Sequence, residues 1–220
     1  TSANATMTVT AAANTAPVVS AASASPSPVT AKTTVLAATA SDDAGEALLI
    51  YTWTATGPTA VAFSPNGTNP AKSSTATFTR AGSYTLTVTV RDAANLTGTR
   101  VVTVTVAQTG TALSVSPTSA SVQPNKTVDF NAVLADQFGA ALTTQPTLTW
   151  SVSGTGGTIN ANGLFTAGAG TPSPSGGVVA TTYVVTATGG GQTATALVTI
   201  STASTASVGG SGGGCGAGGA

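Results

Sequence analysis

Tyr84-Thr85-Leu86-Thr87-Val88-Thr89-Val90 places Tyr84, Leu86, Val88 and Val90 on one face of an extended chain and three threonines on the other. Period two with β-branched residues is the signature of a half-buried strand, one face in a core and one in water. The same alternation runs through Val102, Val104 and Val106, with Thr103 and Thr105 between them. It returns in Ala194, Ala196, Val198 and Ile200, set against Thr193, Thr195 and Thr199. No amphipathic helical stretch of useful length interrupts these runs. The pattern predicts strands over 18–21, 33–40, 48–56, 60–64, 74–79, 83–91 and 99–107, then 111–116, 126–134, 146–153, 158–160, 164–166, 178–188 and 192–201. Turn signals such as Pro65-Asn66-Gly67, Arg80-Ala81-Gly82, Gln137-Phe138-Gly139 and Asn162-Gly163 separate them. Many short strands between such turns predict an all-β sandwich or barrel.

The two halves repeat. Trp53 and Trp150 lie 97 residues apart, Tyr84 and Tyr183 99 apart, and Val104 and Val198 94 apart. Immunoglobulin-like sandwiches are about 100 residues long, with a core Trp on the third strand and a corner Tyr at the start of the sixth. Where antibody domains carry their second disulfide cysteine, this chain has Leu86 and Val185, so packing alone must hold each sandwich. The division expected is an extra strand and linker over 1–15, one sandwich over 16–108, a second over 109–202 and a Gly/Ser-rich tail over 203–220.

Tyr51-Thr52-Trp53, the run Phe78-Thr79-Arg80-Ala81-Gly82-Ser83 leading into the opening strand, and Asp92 make residues 16–107 resemble a PKD-type (polycystic-kidney-disease) domain. After Trp53 the Asp-Phe-Gly-Asp-Gly run of that family is replaced by Thr54-Ala55-Thr56-Gly57-Pro58. Ser114-Val115-Ser116-Pro117, Leu148-Thr149-Trp150-Ser151-Val152-Ser153, Gly157-Thr158-Ile159 and Gly163-Leu164-Phe165-Thr166-Ala167-Gly168 make residues 111–201 similar to a bacterial Ig-like group 2 domain. The resemblance implies tandem Ig-like sandwiches of the kind used as spacers, adhesin stalks and enzyme appendages, which specifies fold better than function.

Composition removes several chemistries. Of 220 residues, 134 are Thr, Ala, Gly or Ser, six cations balance six acids, and histidine is absent. A net charge of zero offers no basic face to a phosphate backbone, so no nucleic-acid partner is expected. One cysteine and no histidine leave no Cys/His zinc site, Ser-His-Asp triad or Cys-His dyad within the chain. No apolar run approaches the roughly 18 residues of a membrane span. No signal peptide opens the sequence, which therefore reads as a mature form or fragment of an extracellular or bacterial cell-surface protein.

Asp42, Asp43, Glu46 and Asp92 hold four of the six carboxylates. They are the candidate ligands for calcium, a hard ion that takes loop oxygens. Their spacing matches no EF-hand loop, and the simpler expectation is no cofactor, with these side chains bracing turns. Asp129 and Asp136 are the only acids of the second half, and no charged residue follows position 136. A glycosidase needs two carboxylates facing one cleft, so no enzyme is expected. Trp53, Trp150, Phe78, Phe130, Tyr84 and Tyr183 are assigned to the cores, leaving Phe63 and Phe138 either to contact sugar or to pack under turns. Lys126, near Asn125 and Asn131, invites comparison with the Lys–Asn crosslinks of some surface domains, but beside a turn it is expected to be solvated. Asn4, Asn66, Asn95 and Asn125 begin Asn-x-Thr sequons, which arise by chance in a chain this rich in threonine.

One repeat back from Val104 lies Asn4-Ala5-Thr6-Met7-Thr8-Val9-Thr10, which reads as another copy of the last strand. Met7 and Val9 are its assembly candidates, since an added strand gains main-chain hydrogen bonds at a sheet edge. The alternatives are a piece of a longer array or an extra strand of the first sandwich. Cys215 sits in the Gly-rich tail, resembling the start of C-terminal sorting tails, and is the candidate for attachment or an intermolecular disulfide. The favoured function is a non-catalytic structural or adhesive segment, a spacer, stalk or fibre subunit, meeting neighbouring Ig-like domains or identical subunits through strand edges. The alternative is an accessory carbohydrate-binding or spacer module of a secreted polysaccharide-degrading enzyme, with cell-surface glycan as partner. Edges with few charges lack the usual guard against strand pairing.

Overall fold

The computed structural model describes residues 12–169 and 179–202; Met7, Val9 and Cys215 lie outside the described residues. The chain divides into two compact units, Thr1–Gly110 with Asp136–Leu142, and Thr111–Ala135 with Thr143–Ala220. The first unit contains β1 (Val18–Ser25), β2 (Thr33–Ser41), β3 (Ile50–Thr56), β4 (Ala62–Ser64), β5 (Ser73–Thr77), β6 (Gly82–Arg91) and β7 (Thr97–Val106). They form two antiparallel sheets, ordered β1-β2-β5-β4 and β3-β6-β7. The opening stretch is β6, the middle strand of its sheet, with Trp53 of β3 opposite Val88 and Val104 of β7 opposite Tyr84. Leu36 and Ala76 from one sheet meet Tyr51, Trp53, Tyr84, Leu86, Val88 and Val104 from the other in a single core. Such a two-sheet core is what alternating strands produce when each buries one face.

The second unit, apart from the end residues Gly110 and Asp136 that group with the first, contains β8 (Gly110–Ser116), β9 (Ser119–Val122), β10 (Thr127–Asp129), β11 (Asn131–Asp136), β12 (Thr149–Val152), β13 (Gly157–Ile159), β14 (Leu164–Ala167), β15 (Val179–Gly189) and β16 (Gln192–Thr202). One sheet has the order β12-β15-β16-β9; β10-β14-β13 and β11-β8 make up the other pairings. Trp150 stands opposite Ala187 and Tyr183 opposite Val198, the same relations as Trp53 and Tyr84 have in the first unit. Val115, Phe130, Phe165, Val185, Val198 and Ile200 form its core.

Both units begin alike. In the first, β1 pairs with β2, then prolines at 26 and 28 end that pairing and Val29 runs parallel to β7, exchanging bonds with Thr105 and Ala107. In the second, β8 pairs with β11, Pro117 intervenes, and β9 runs parallel to β16 with Ser119 opposite Leu197. Proline has no N–H to give a ladder, so it marks the place where the first strand changes sheets.

The all-β expectation and the tandem sandwiches stand. The strand expected over 126–134 is divided at Phe130, whose N–H is given to Gly163 rather than to a regular ladder. β9 was not expected, because Ser119-Ala120-Ser121-Val122 is too short and small-sided to show alternation. Short 3-10 turns at Glu46–Leu48 and Asn69–Lys72 also escape the pattern. Tyr51 and Phe165, outside the aromatics expected in the cores, are fully buried, whereas Trp150 and Tyr183 are only partly buried. Trp53 is 1% exposed and donates its indole N–H to Ala71 O at 2.9 Å. Trp53→Ala should therefore cost about 3–5 kcal/mol in a denaturant melt, and Trp150→Ala distinctly less.

Candidate functional site

Asp42, Asp43, Glu46 and Asp92, the four candidate calcium ligands, stand at turns between strands, and most of their oxygens are engaged. Asp92 closes the turn between β6 and β7: its Oδ1 accepts Leu96 N–H at 2.8 Å and its Oδ2 accepts Asn14 Nδ2 at 2.7 Å. The Asn14 amide, aided by the turn's own N–H groups, holds its carboxyl below the usual carboxylate range although the side chain is buried. Asp43 Oδ2 accepts Thr15 N–H at 3.3 Å, so residues 14 and 15 reach two of the acids. Asp42 Oδ2 accepts Ala44 N–H at 3.2 Å, while its Oδ1 is buried without a partner among the described residues.

Glu46 belongs to a different cluster. It pairs with Lys72 at 3.1 Å and accepts the Tyr51 hydroxyl at 3.1 Å and Asn69 Nδ2 at 3.1 Å. The bond from Lys72 keeps Glu46 below its ordinary pKa, and burial together with Glu46 pushes Tyr51 up to about 12. Asp136, grouped with the first unit, braces the loop after β11 by accepting Phe138 and Ala140 N–H at 2.9 and 3.0 Å. Burial would raise it, but Gln108 Nε2 at 3.1 Å and the loop N–H groups carry its pKa below the ordinary value. Among the described residues no group of three or more His, Cys, Asp or Glu lies together as a metal site would require.

Sheet edges supply the feature that sequence reasoning missed. Asn66 lies along β3, giving Nδ2 to Trp53 O at 3.1 Å and accepting Trp53 N–H on Oδ1 at 2.7 Å. Thr68 O and Gly67 N–H complete this cover by bonding both backbone groups of Tyr51. In the second unit Gln145 does the same for Leu134 of β11, accepting its N–H at 2.8 Å and giving Nε2 to its carbonyl at 3.0 Å. A primary amide can present an N–H and a carbonyl side by side, as a strand's backbone does, and so end a ladder where a neighbouring strand would otherwise continue it. The expectation of unguarded edges is corrected at these places: the guard is an amide instead of a charge. Phe63 and Phe138 are partly buried against the first core, the turn-packing alternative of the two expected for them.

The outward faces are threonine lattices. Across β3, β6 and β7 the rows read Thr52-Thr89-Thr99, Thr54-Thr87-Val101 and Thr56-Thr85-Thr103. Across β12, β15 and β16 they read Thr149-Thr188-Thr193 and Ser151-Thr186-Thr195. Such rows keep strands wet without charge and bring β-branched groups into cross-strand contact.

Two sandwich units, each with a first strand that changes sheets at proline and a core beside a paired Trp strand and Tyr strand (β3 with β6, β12 with β15), define a tandem Ig-like fold. Residues 26–106 match the family model described as K319L-like, PKD domain, so the first sandwich carries a PKD-type domain. No curated protein matches the chain. Among solved structures, Drosophila N-cadherin EC1-4 is similar, with a TM-score of 0.58 and 16% identity over 86% of this chain and 49% of that one. Domains 1-6 of the surface layer protein SbsC align with a TM-score of 0.38 and 17% identity over 86% of this chain and 29% of that one. The chain thus spans about half the N-cadherin fragment and less of the surface layer protein. No helix among the described residues is long and apolar enough to cross a membrane, which says nothing of β-barrels.

Glu46, Asp92 and Asp136 all have folded-state pKa values below their ordinary ones, so the stability they give is complete above the ordinary carboxylate range. It should disappear as pH falls through the lowered values, below about pH 4. Tyr51 has the opposite sign: its contribution is whole below about pH 10 and lost as pH rises toward about 12. Without histidine, the melting temperature of the first unit should be flat from about pH 5 to 8. Thermal melts across pH check both limbs. Separately, Asn66→Ala leaves both backbone groups of Trp53 without their partner; it should cost about 1–3 kcal/mol and speed hydrogen exchange at the Trp53 amide.

Proposed function

We propose that this chain is a non-catalytic structural and adhesive segment of an extracellular or cell-surface protein, working as a stalk or fibre subunit. One observation carries the reading: in two tandem sandwiches the large aromatics lie in or against the cores, the loop carboxylates mostly brace turns, and one sheet of each unit turns an uncharged hydroxyl lattice outward. That arrangement supports rigid, wettable units and engages the loop acids in bracing turns, which favours a mechanical role with other surfaces as partners. The same engagement supports a structural role for Asp43, Glu46 and Asp92 without calcium, and thermal melts in calcium and in a chelator should superimpose. A shift of the melt to higher temperature with calcium would assign Asp42 and its neighbours to an ion.

In this reading the strand Asn4–Thr10, with Met7 and Val9 on one face, pairs with the edge of a second copy, and Cys215 provides covalent attachment or a disulfide. Electron microscopy of the full chain should show head-to-tail polymers. Deleting residues 1–10 should abolish them and leave both melting transitions in place. Polymers that persist after the deletion would refute the role of the strand, and a full chain that stays monomeric would refute the fibre.

A further inference from the structure

Among the described residues three Asn-x-Thr sequons occur, and the structure separates them. All three asparagines are exposed, so exposure alone does not discriminate. What differs is the carboxamide. Asn66 has its Nδ2 given to Trp53 O at 3.1 Å, while its Oδ1 accepts Trp53 N–H at 2.7 Å and Gly67 N–H at 3.1 Å. A sugar on that nitrogen would displace the group that closes the β3 edge.

Asn95 has the reverse arrangement. Its Oδ1 accepts from Arg91, and its Nδ2 has no partner among the described residues. It stands in the β6–β7 turn with φ of 70°, which turns the residue out of the ladder direction, and Thr97, the hydroxyl member of the sequon, is exposed. Asn125 shares these features in the second unit. Its φ is 60°, its backbone N–H is held by Ala167 O at 3.2 Å, and its side-chain amide forms no bond among the described residues. Thr127, two residues on, is exposed as well. In both cases the backbone is fixed in a turn, while carboxamide and hydroxyl face solvent together.

We propose that Asn95 and Asn125 are acceptor sites for N-linked saccharide on the folded chain, and that Asn66 is not. The donor class is a polyprenyl-diphosphate-linked oligosaccharide, supplied with a separate transferase. Nδ2 of the asparagine forms the bond to the anomeric carbon, the carbon–oxygen bond to the diphosphate breaks, and polyprenyl diphosphate leaves with the electron pair. One proton from the amide goes to a base of the transferase, and no oxidant or reductant is involved. Both sites lie at turns outside the ladders, so a saccharide there leaves the sheets and the covered β3 edge intact.

The test is to incubate the folded full chain with a purified oligosaccharyltransferase and its lipid-linked oligosaccharide, then map peptides by mass. A short synthetic sequon peptide serves as the positive control. The peptides holding Asn95 and Asn125 should each gain the mass of one oligosaccharide. That gain should be lost in Thr97→Ala and Thr127→Ala respectively, with unchanged melting temperatures for the unmodified variants. The Asn66 peptide should gain nothing until the chain is unfolded. Each site stands or falls on its own peptide: no added mass while the control peptide is modified overturns that site, and modification of Asn66 in the folded chain overturns the rule that separates the three.

Discussion

The ring of Tyr84 is the point on which the first unit turns. Its hydroxyl donates to Arg80 O at 2.9 Å and lies 3.0 Å from Thr59 Oγ1, which in turn accepts Thr79 Oγ1 at 3.0 Å. The ring packs against Phe78 with centroids 4.8 Å apart, and a Cβ on Gly57 would come within 2.3 Å of its Cδ1. One side chain thereby fixes the start of β6, the turn before it and the segment after β3. The second unit answers with the same pair of residue types: a Cβ on Gly156 would stand 1.8 Å from Cζ of Tyr183. With no disulfide between the sheets, aromatic rings pressed against bare backbone take over the task of fixing their ends.

This explains how a chain made largely of Ala, Thr, Gly and Ser builds two cores. Small residues contribute little buried area each, so the few large ones must meet closely, and glycine lets backbone approach them. Gly163 shows the rule again. With φ of 86° and a Cβ position 2.1 Å from Phe130 O and 3.1 Å from Trp150 Cζ2, no other residue fits without displacement. The abundance of glycine therefore has a structural part that composition alone does not separate from linker chemistry.

Legibility in the sequence follows the range of the interaction. β6, β7 and β16 were readable because alternation is local and long, and Trp53 and Tyr84 because their positions relative to those strands are regular. β9 and the bridge at Val29 were not, because each exists only by pairing with a strand some 80 residues away, and neither segment signals that partner in its own sequence. Asn66 and Gln145 were hidden for the same reason. In the sequence Asn66 is a turn residue and a sequon; its bonds to Trp53 depend on tertiary placement. The acids were visible as loop residues, but their engagement with Asn14, Lys72 and Gln108 was not.

The amide covers change what the lack of charge implies. A lysine or glutamate on an edge repels any approaching strand, whatever its sequence. An amide that occupies the donor and acceptor of Trp53 or Leu134 blocks only that stretch of the ladder, leaving neighbouring backbone groups to their own partners. Protection of this kind is local and is built residue by residue: beside Trp53 it is continued by Thr68 and Gly67, which bond both backbone groups of Tyr51. Uncharged threonine faces add no long-range repulsion between copies. Which edge positions are already bonded is thus a property set by single side chains instead of by net charge.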